Sequence, residues 1–277
     1  MSQRTEILTR LRAKLADGQP IIGGGAGTGL SAKCAETAGL DFIVIYNSGR
    51  YRMAGRSSMA GLMPYGDANA IVTEMAMETL PILQHTPLVA GVCATDPFRV
   101  IPYFLRQLQD MGCAGVQNYP TVCLFEGVIR ANLEETGLGF DKEVEMIAAA
   151  HDLDLLTVAY VASESEARAM AEAGADILVA HMGLTTAGMI GAQTAITLDE
   201  AVEAVDRLGK VGKDTRDDII VVCHGGPISG PEDVAHVLTN SRYATGFLGA
   251  SSMERIPTEI AMVDHMRKFT GLRLRSV

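Results

Sequence analysis

Two histidines stand at the ends of apolar runs: His181 closes "DILVAH" and His224 closes "IIVVCH". Imidazole titrates near neutrality, so either side chain can move a proton in a site. A histidine at such a position also serves as a satisfied core residue, and that reading stays open. Two carboxylates add to the set. Asp96 lies in "CATDP", directly after another apolar run, although Asp-Pro is also a turn and helix-start signal. Glu126, in "CLFEG", offers an acid, a base or a metal ligand.

Residues suited to holding an anion occur nearby in the sequence. "GGGAGTG" (23–29) contains Gly25 and Gly27 and leads into a helical pattern, so free amides there can cradle a negative group. It is not a P-loop, because Leu30 stands where the lysine belongs, and a tight turn explains part of it. Asn47, Ser48 and Arg50 follow the run "DFIVIY", with Arg52 and Arg56 further on. Three arginines in one loop read as an anion clamp or as surface ion pairs. Gln117, Asn118 and Tyr160 supply neutral hydrogen-bonding groups at or near other strand ends. "CHGGPISG" adds the amides of Gly225 and Gly226, while Ser229 and Pro231 fit the start of the next helix. "GFLGASSMER" (246–255) closes the set with Gly249, Ser251 and Ser252. Its Ser251-x-x-Glu254 spacing predicts a capping box opening a short extra helix.

Other chemistries find less support. A Schiff-base site needs a lysine at the mouth, but Lys14, Lys33, Lys142, Lys210, Lys213 and Lys268 all lie away from strand ends. No CxxC or CxxH pair signals structural zinc, and five scattered cysteines fit reduced thiols better than a disulfide framework. The net charge of −10 argues against nucleic acid or an anionic membrane surface as a partner. No apolar run reaches the ~20 residues of a membrane span. "SQRTEILTRLRAKLADG" reads as an amphipathic helix rather than a signal peptide. A soluble cytoplasmic protein is the expectation.

The elements that position these groups alternate along the chain. Apolar runs at 20–25, 41–46, 88–93, 114–119, 156–161, 176–181, 219–224 and 244–249 predict eight strands, separated by helix-patterned stretches. Continuous rather than alternating hydrophobicity suits a parallel sheet covered on both faces. Eight strand–helix units in 277 residues predict an α/β fold: one (β/α)8 TIM barrel over 1–277 with an extra N-terminal helix. In that fold every candidate above falls at the C-terminal mouth. The segments 47–68 and 120–140 are long connections, which signals lids or additional short structure.

"GGGAGTGLSAKCAETAG", "IYNSGRYRMAGR", "GVCATDP", "GVQNYPTV", "VAHMGLT", "CHGGPIS" and "GFLGASSMER" together resemble the phosphoenolpyruvate hydrolase-like TIM-barrel family, which includes barrels of the Tm-1 virus-resistance type. The resemblance points to the phosphoenolpyruvate mutase/isocitrate lyase superfamily. It implies hydrolase or lyase chemistry on a small phospho- or 2-oxo acid, with Mg²⁺ and an enolate-like intermediate. Any Mg²⁺ would fall to Asp96 and Glu126, because Tyr46-Asn47-Ser48 stands where that superfamily carries an acidic motif. The Tm-1 likeness implies the alternative, a non-catalytic ligand-binding or protein-interaction barrel. A homo-oligomer is expected on either reading.

Overall fold

The computed structural model describes residues 2–274. The ends of the predicted 1–277 unit, residue 1 and residues 275–277, lie outside the described residues. Eight parallel strands close in chain order: β1 (Ile21–Gly25), β2 (Phe42–Ile45), β3 (Leu88–Val92), β4 (Gly115–Asn118), β5 (Leu156–Val161), β6 (Ile177–His181), β7 (Ile220–His224) and β8 (Gly246–Gly249). β8 pairs with β1 through Ile21–Gly246 to Gly24–Gly249, which completes the barrel. All eight predicted strands are present, most a residue or two shorter than their apolar runs. Nearly every strand residue is buried, as a sheet wrapped by helices requires.

The wrapping helices are α2 (Gly29–Thr37), α4 (Ala68–Thr79), α5 (Ile101–Met111), α7 (Phe140–Asp152), α8 (Glu164–Glu172), α9 (Leu198–Thr215) and α10 (Pro231–Asn240). Their boundaries follow local chemistry. Ser163 with Glu166, and Thr197 with Glu200, form complete capping boxes at α8 and α9. Gly112 ends α5 with a φ of 107°, and Gly174 follows α8 with a φ of 90°.

The N-terminal helix α1 (Gln3–Ala16) plugs the bottom of the barrel, burying Ile7, Leu8 and Leu11. Arg4 reaches Asp176 at 2.6 Å and Lys14 reaches Asp41 at 2.6 Å, tying it to the loops before β6 and β2. Inside the barrel, Phe42 lies across the position of Gly23, where a Cβ would come within 2.3 Å of its ring. That glycine makes room for an aromatic core side chain.

Both long connections contain additional structure. The first forms α3 (Asn47–Met53) and a 3₁₀ turn (Ser58–Leu62); the second forms a 3₁₀ turn (Val122–Leu124) and α6 (Gly127–Glu135). A third long connection, 182–197 after β6, had no distinguishing sequence signal. The segment leading into the final helix α11 (Arg255–Thr270) departs from the expectation. Residues 251–254 form a turn rather than a capped extra helix, and α11 starts two residues before Pro257. Only Arg255 of this helix is buried, while Ile260, Met262, Met266 and Phe269 are exposed.

Candidate functional site

A cavity of ≈ 240 Å³ opens at the C-terminal mouth. Tyr46, Tyr119, Tyr160, His181 and His224 line it, together with Arg52 and a wall of Ser48, Ser58 and Ser251. The rings form one cluster: His181 lies 4.7 Å from His224, and Tyr160 lies 4.8 Å and 5.0 Å from the two imidazoles, between ring centroids. The barrel places them together because β5, β6 and β7 are adjacent and His181 is in register with His224.

Backbone contacts assign the two imidazoles opposite tautomers. His224 Nδ1 is 2.6 Å from the Leu248 carbonyl oxygen, which only accepts, so Nδ1 carries the proton and Nε2 is bare. The Tyr160 hydroxyl donates to that bare nitrogen at 3.4 Å. His181 Nδ1 instead accepts the Gly183 amide at 3.0 Å, leaving its proton on Nε2. Burial pushes His224 down to about 4, the Leu248 carbonyl partly opposing, and pushes His181 well below its ordinary value with help from His224. Both rings are neutral at pH 7. One presents an acceptor and the other a donor. Burial also holds the Tyr160 phenol well above its ordinary value, so it remains protonated.

Beneath the serine wall lies a buried ion pair. Arg52 Nε and Nη2 donate to one oxygen of Glu254 at 2.9 and 2.5 Å, and the Gly27 amide donates to the other at 2.6 Å. The side chains are 1% and 3% exposed. Burial opposes the guanidinium charge, but Glu254 and the nearby Tyr46 hydroxyl outweigh it and hold Arg52 above its ordinary value. The pair links the ends of β1, β2 and β8. Gly27 permits this: a Cβ there would come within 2.1 Å of the Gly49 carbonyl oxygen.

These contacts correct several expectations. Gly27's amide serves Glu254 rather than a ligand, and Gly25 makes room for the Tyr46 hydroxyl. Of the three arginines, Arg50 turns outward to Glu74 and Glu78, and Arg56 is exposed, bonding only nearby carbonyls; neither lines the cavity. Arg52 is the one the barrel turns inward, and loop position alone did not distinguish it. The proposed capping box at Ser251 is absent because Glu254 is committed to Arg52. Gly226 donates to the Gly183 carbonyl and, like Gly225, packs against the loop after β6, so this glycine pair joins two loops. Gly249 gives space to Met253. Arg255 anchors the Ala187 carbonyl and Glu259.

Asn47 braces Gly61 and Ser48, which positions the cavity wall. Asn118 points away from the barrel axis, holding both Glu143 and the backbone of Tyr160. Sequence reading missed Glu143. It is fully buried and accepts from Asn118, Thr121 and the Val122 amide, yet burial pushes it up to about 8. Gln117 is buried with both side-chain polar atoms unpartnered, and so is the Ser252 hydroxyl.

The residues available for Mg²⁺ do not fit a metal. Asp96 accepts from Asn69, Arg99 and the Phe98 amide, the arrangement of a turn cap. Glu126 is exposed at the start of α6, and neither residue lines the histidine cavity. Among the described residues no group of three His, Cys, Asp or Glu can hold a metal ion.

The fold and site define a TIM barrel with a cavity at its C-terminal mouth, lined by two histidines and three tyrosines. The chain belongs to the phosphoenolpyruvate hydrolase-like family, whose model matches residues 6–272. It is 56% identical over 274 residues to the ToMV resistance protein Tm-1(GCR237) of Solanum lycopersicum, covering 99% of this chain and 36% of that protein. The ToMV susceptible protein tm-1(GCR26) of the same plant is 55% identical over the same length and shares. The chain therefore spans about a third of the length of these relatives. Among solved structures, 2,3-dimethylmalate lyase, a PEP mutase/isocitrate lyase superfamily member, superposes with a TM-score of 0.62 at 16% identity, covering 100% of this chain and 92% of that one. Phosphonopyruvate hydrolase in complex with oxalate and Mg²⁺ superposes with a TM-score of 0.60 at 17% identity, covering 100% and 93%. These structural likenesses establish the shared barrel. Among the described residues no helix is long and apolar enough to cross a membrane.

Proposed function

We propose that the cavity binds a small phospho- or 2-oxo acid and performs hydrolase or lyase chemistry through an enol-like intermediate. The observation that carries this reading is the pair of neutral imidazoles held in complementary tautomers on one cavity. His224 Nε2 takes a proton from a water whose oxygen bonds to the phosphorus or acyl carbon, while the P–O, P–C or C–C bond that breaks leaves its electron pair on the enolate. The Nε2–H of His181 hydrogen-bonds to the oxygen on which negative charge accumulates, as a preorganised neutral donor. A base near 4 is weak at neutral pH, but an anion bound beside it favours the imidazolium and raises its basicity. Tyr160 orients Nε2, and Arg52 with the serine wall holds the acid group. The names of the structural neighbours, a lyase and a phosphonopyruvate hydrolase, support the reaction class.

Phosphoenolpyruvate, phosphonopyruvate and oxaloacetate, each with and without Mg²⁺, form the test panel, with pyruvate or phosphate release as the signal. The expected result is turnover that His224→Gln abolishes and that does not require Asp96 or Glu126. No turnover by folded protein across the panel rejects the catalytic reading. A binding barrel without turnover is the second reading, favoured by the Arg52 charge being spent on Glu254. Ligand binding without product formation would establish it. The exposed apolar residues of α11 support self-association, which sedimentation velocity tests.

A further inference from the structure

We infer that the cavity selects singly charged acids with a short alkyl portion over phosphate dianions, and that Glu254 sets this selectivity. The inference rests on the reading of the cavity as a ligand site and concerns the charge and shape of what it takes.

Charge balance comes first. Arg52 is the sole cationic side chain lining the cavity among the described residues, and Glu254 neutralises it inside the protein. The two imidazoles take their hydrogen bonds as neutral rings, each with one nitrogen committed to the backbone. The lining therefore presents donors but no net positive charge. The desolvation cost of an ion rises with the square of its charge, so a dianion loses about four times as much as a monoanion on entry. Without a free countercharge, nothing offsets that difference.

A monoanion needs only hydrogen-bond donors, and these are available. Arg52 Nη1 lies outside the Glu254 contact. The amide of Ser251, which lines the cavity, finds no backbone acceptor among the described residues. The cavity also has an apolar side, made by Met59, Leu124 and Leu184. A volume of ≈ 240 Å³ corresponds to roughly eight water-sized groups at ~30 Å³ each. A five-carbon 2-oxo acid fills it, with carboxylate and carbonyl on the serine and histidine walls and the alkyl end against the apolar side.

Isothermal titration of the wild-type chain at pH 7.5 tests this with three probes: 3-methyl-2-oxobutanoate, phosphoenolpyruvate and inorganic phosphate. The expected result is at least tenfold tighter binding of the 2-oxo acid than of either phosphate compound. In Glu254→Gln the guanidinium keeps a net charge, and the ratio should fall at least tenfold in favour of phosphate. Equal or tighter binding of phosphoenolpyruvate or phosphate by the wild type overturns the inference while leaving the ligand site standing. Binding of none of the three overturns both. If Glu254→Gln does not fold, the wild-type ratio alone decides.

Discussion

Replacing Arg52 with methionine removes one half of a pair that is almost wholly buried and leaves Glu254 with the Gly27 amide as its remaining partner. Breaking a buried ion pair from one side costs about 3–5 kcal/mol, because the remaining charge is stranded away from water. In a chain of 277 residues each kcal/mol lowers Tm by roughly 2–4 °C, so a fall of about 10 °C is expected. The double variant Arg52→Met/Glu254→Leu removes both charges. It strands only the Gly27 amide, at about 1–3 kcal/mol, and should therefore be more stable than the single variant. Urea unfolding followed by far-UV circular dichroism and tyrosine fluorescence measures both, the chain having seven tyrosines and no tryptophan. An Arg52→Met protein within 1 kcal/mol of wild type, or a double variant no more stable than the single, would refute the view that this pair joins the β1, β2 and β8 loops.

Other perturbations follow from the same geometry. His224 has its folded pKa depressed from 6.5 to about 4, so its contribution is present above 6.5 and lost as pH falls through 4. His224→Gln, which can still donate to Leu248, should flatten that part of a stability–pH curve by a few kcal/mol. Glu143 behaves oppositely: with its folded value raised to about 8, its contribution is full below 4.5 and lost as pH rises through 8. Chemical denaturation of Glu143→Gln should show a shallower decline across that window, and an unchanged slope would contradict the assignment. Gly27→Ala should destabilise by more than about 3 kcal/mol, because its Cβ meets backbone at 2.1 Å and α3 cannot retreat without breaking the Arg52–Glu254 contact. Tyr160→Phe should fold normally but lower turnover or ligand affinity more than tenfold, read from kinetics or titration beside an unchanged Tm.

The barrel was legible in the sequence because its signals are local and repeated. Eight apolar runs, each followed by a helical period, leave few alternatives to a closed parallel sheet. His181 and His224 were legible too, because the final residue of a strand in this fold has a known destination. Their proton positions were not, since Leu248 and Gly183 decide those, and no spacing in the sequence reveals a hydrogen bond between neighbouring strands. "GFLGASSMER" shows the division most clearly. Sequence placed it at the end of the eighth strand and suggested a local bond between Ser251 and Glu254. The folded chain brings Arg52 and Gly27, 202 and 227 residues away, to the same carboxylate. A buried charge takes the partner that best neutralises it, and a serine hydroxyl or amide cannot match a guanidinium. Residue types and their periodicity thus determined the architecture and the list of available chemistry. Tertiary structure decided which arginine faces inward and which carboxylate is spent on it, because burial and charge pairing act between residues far apart in sequence.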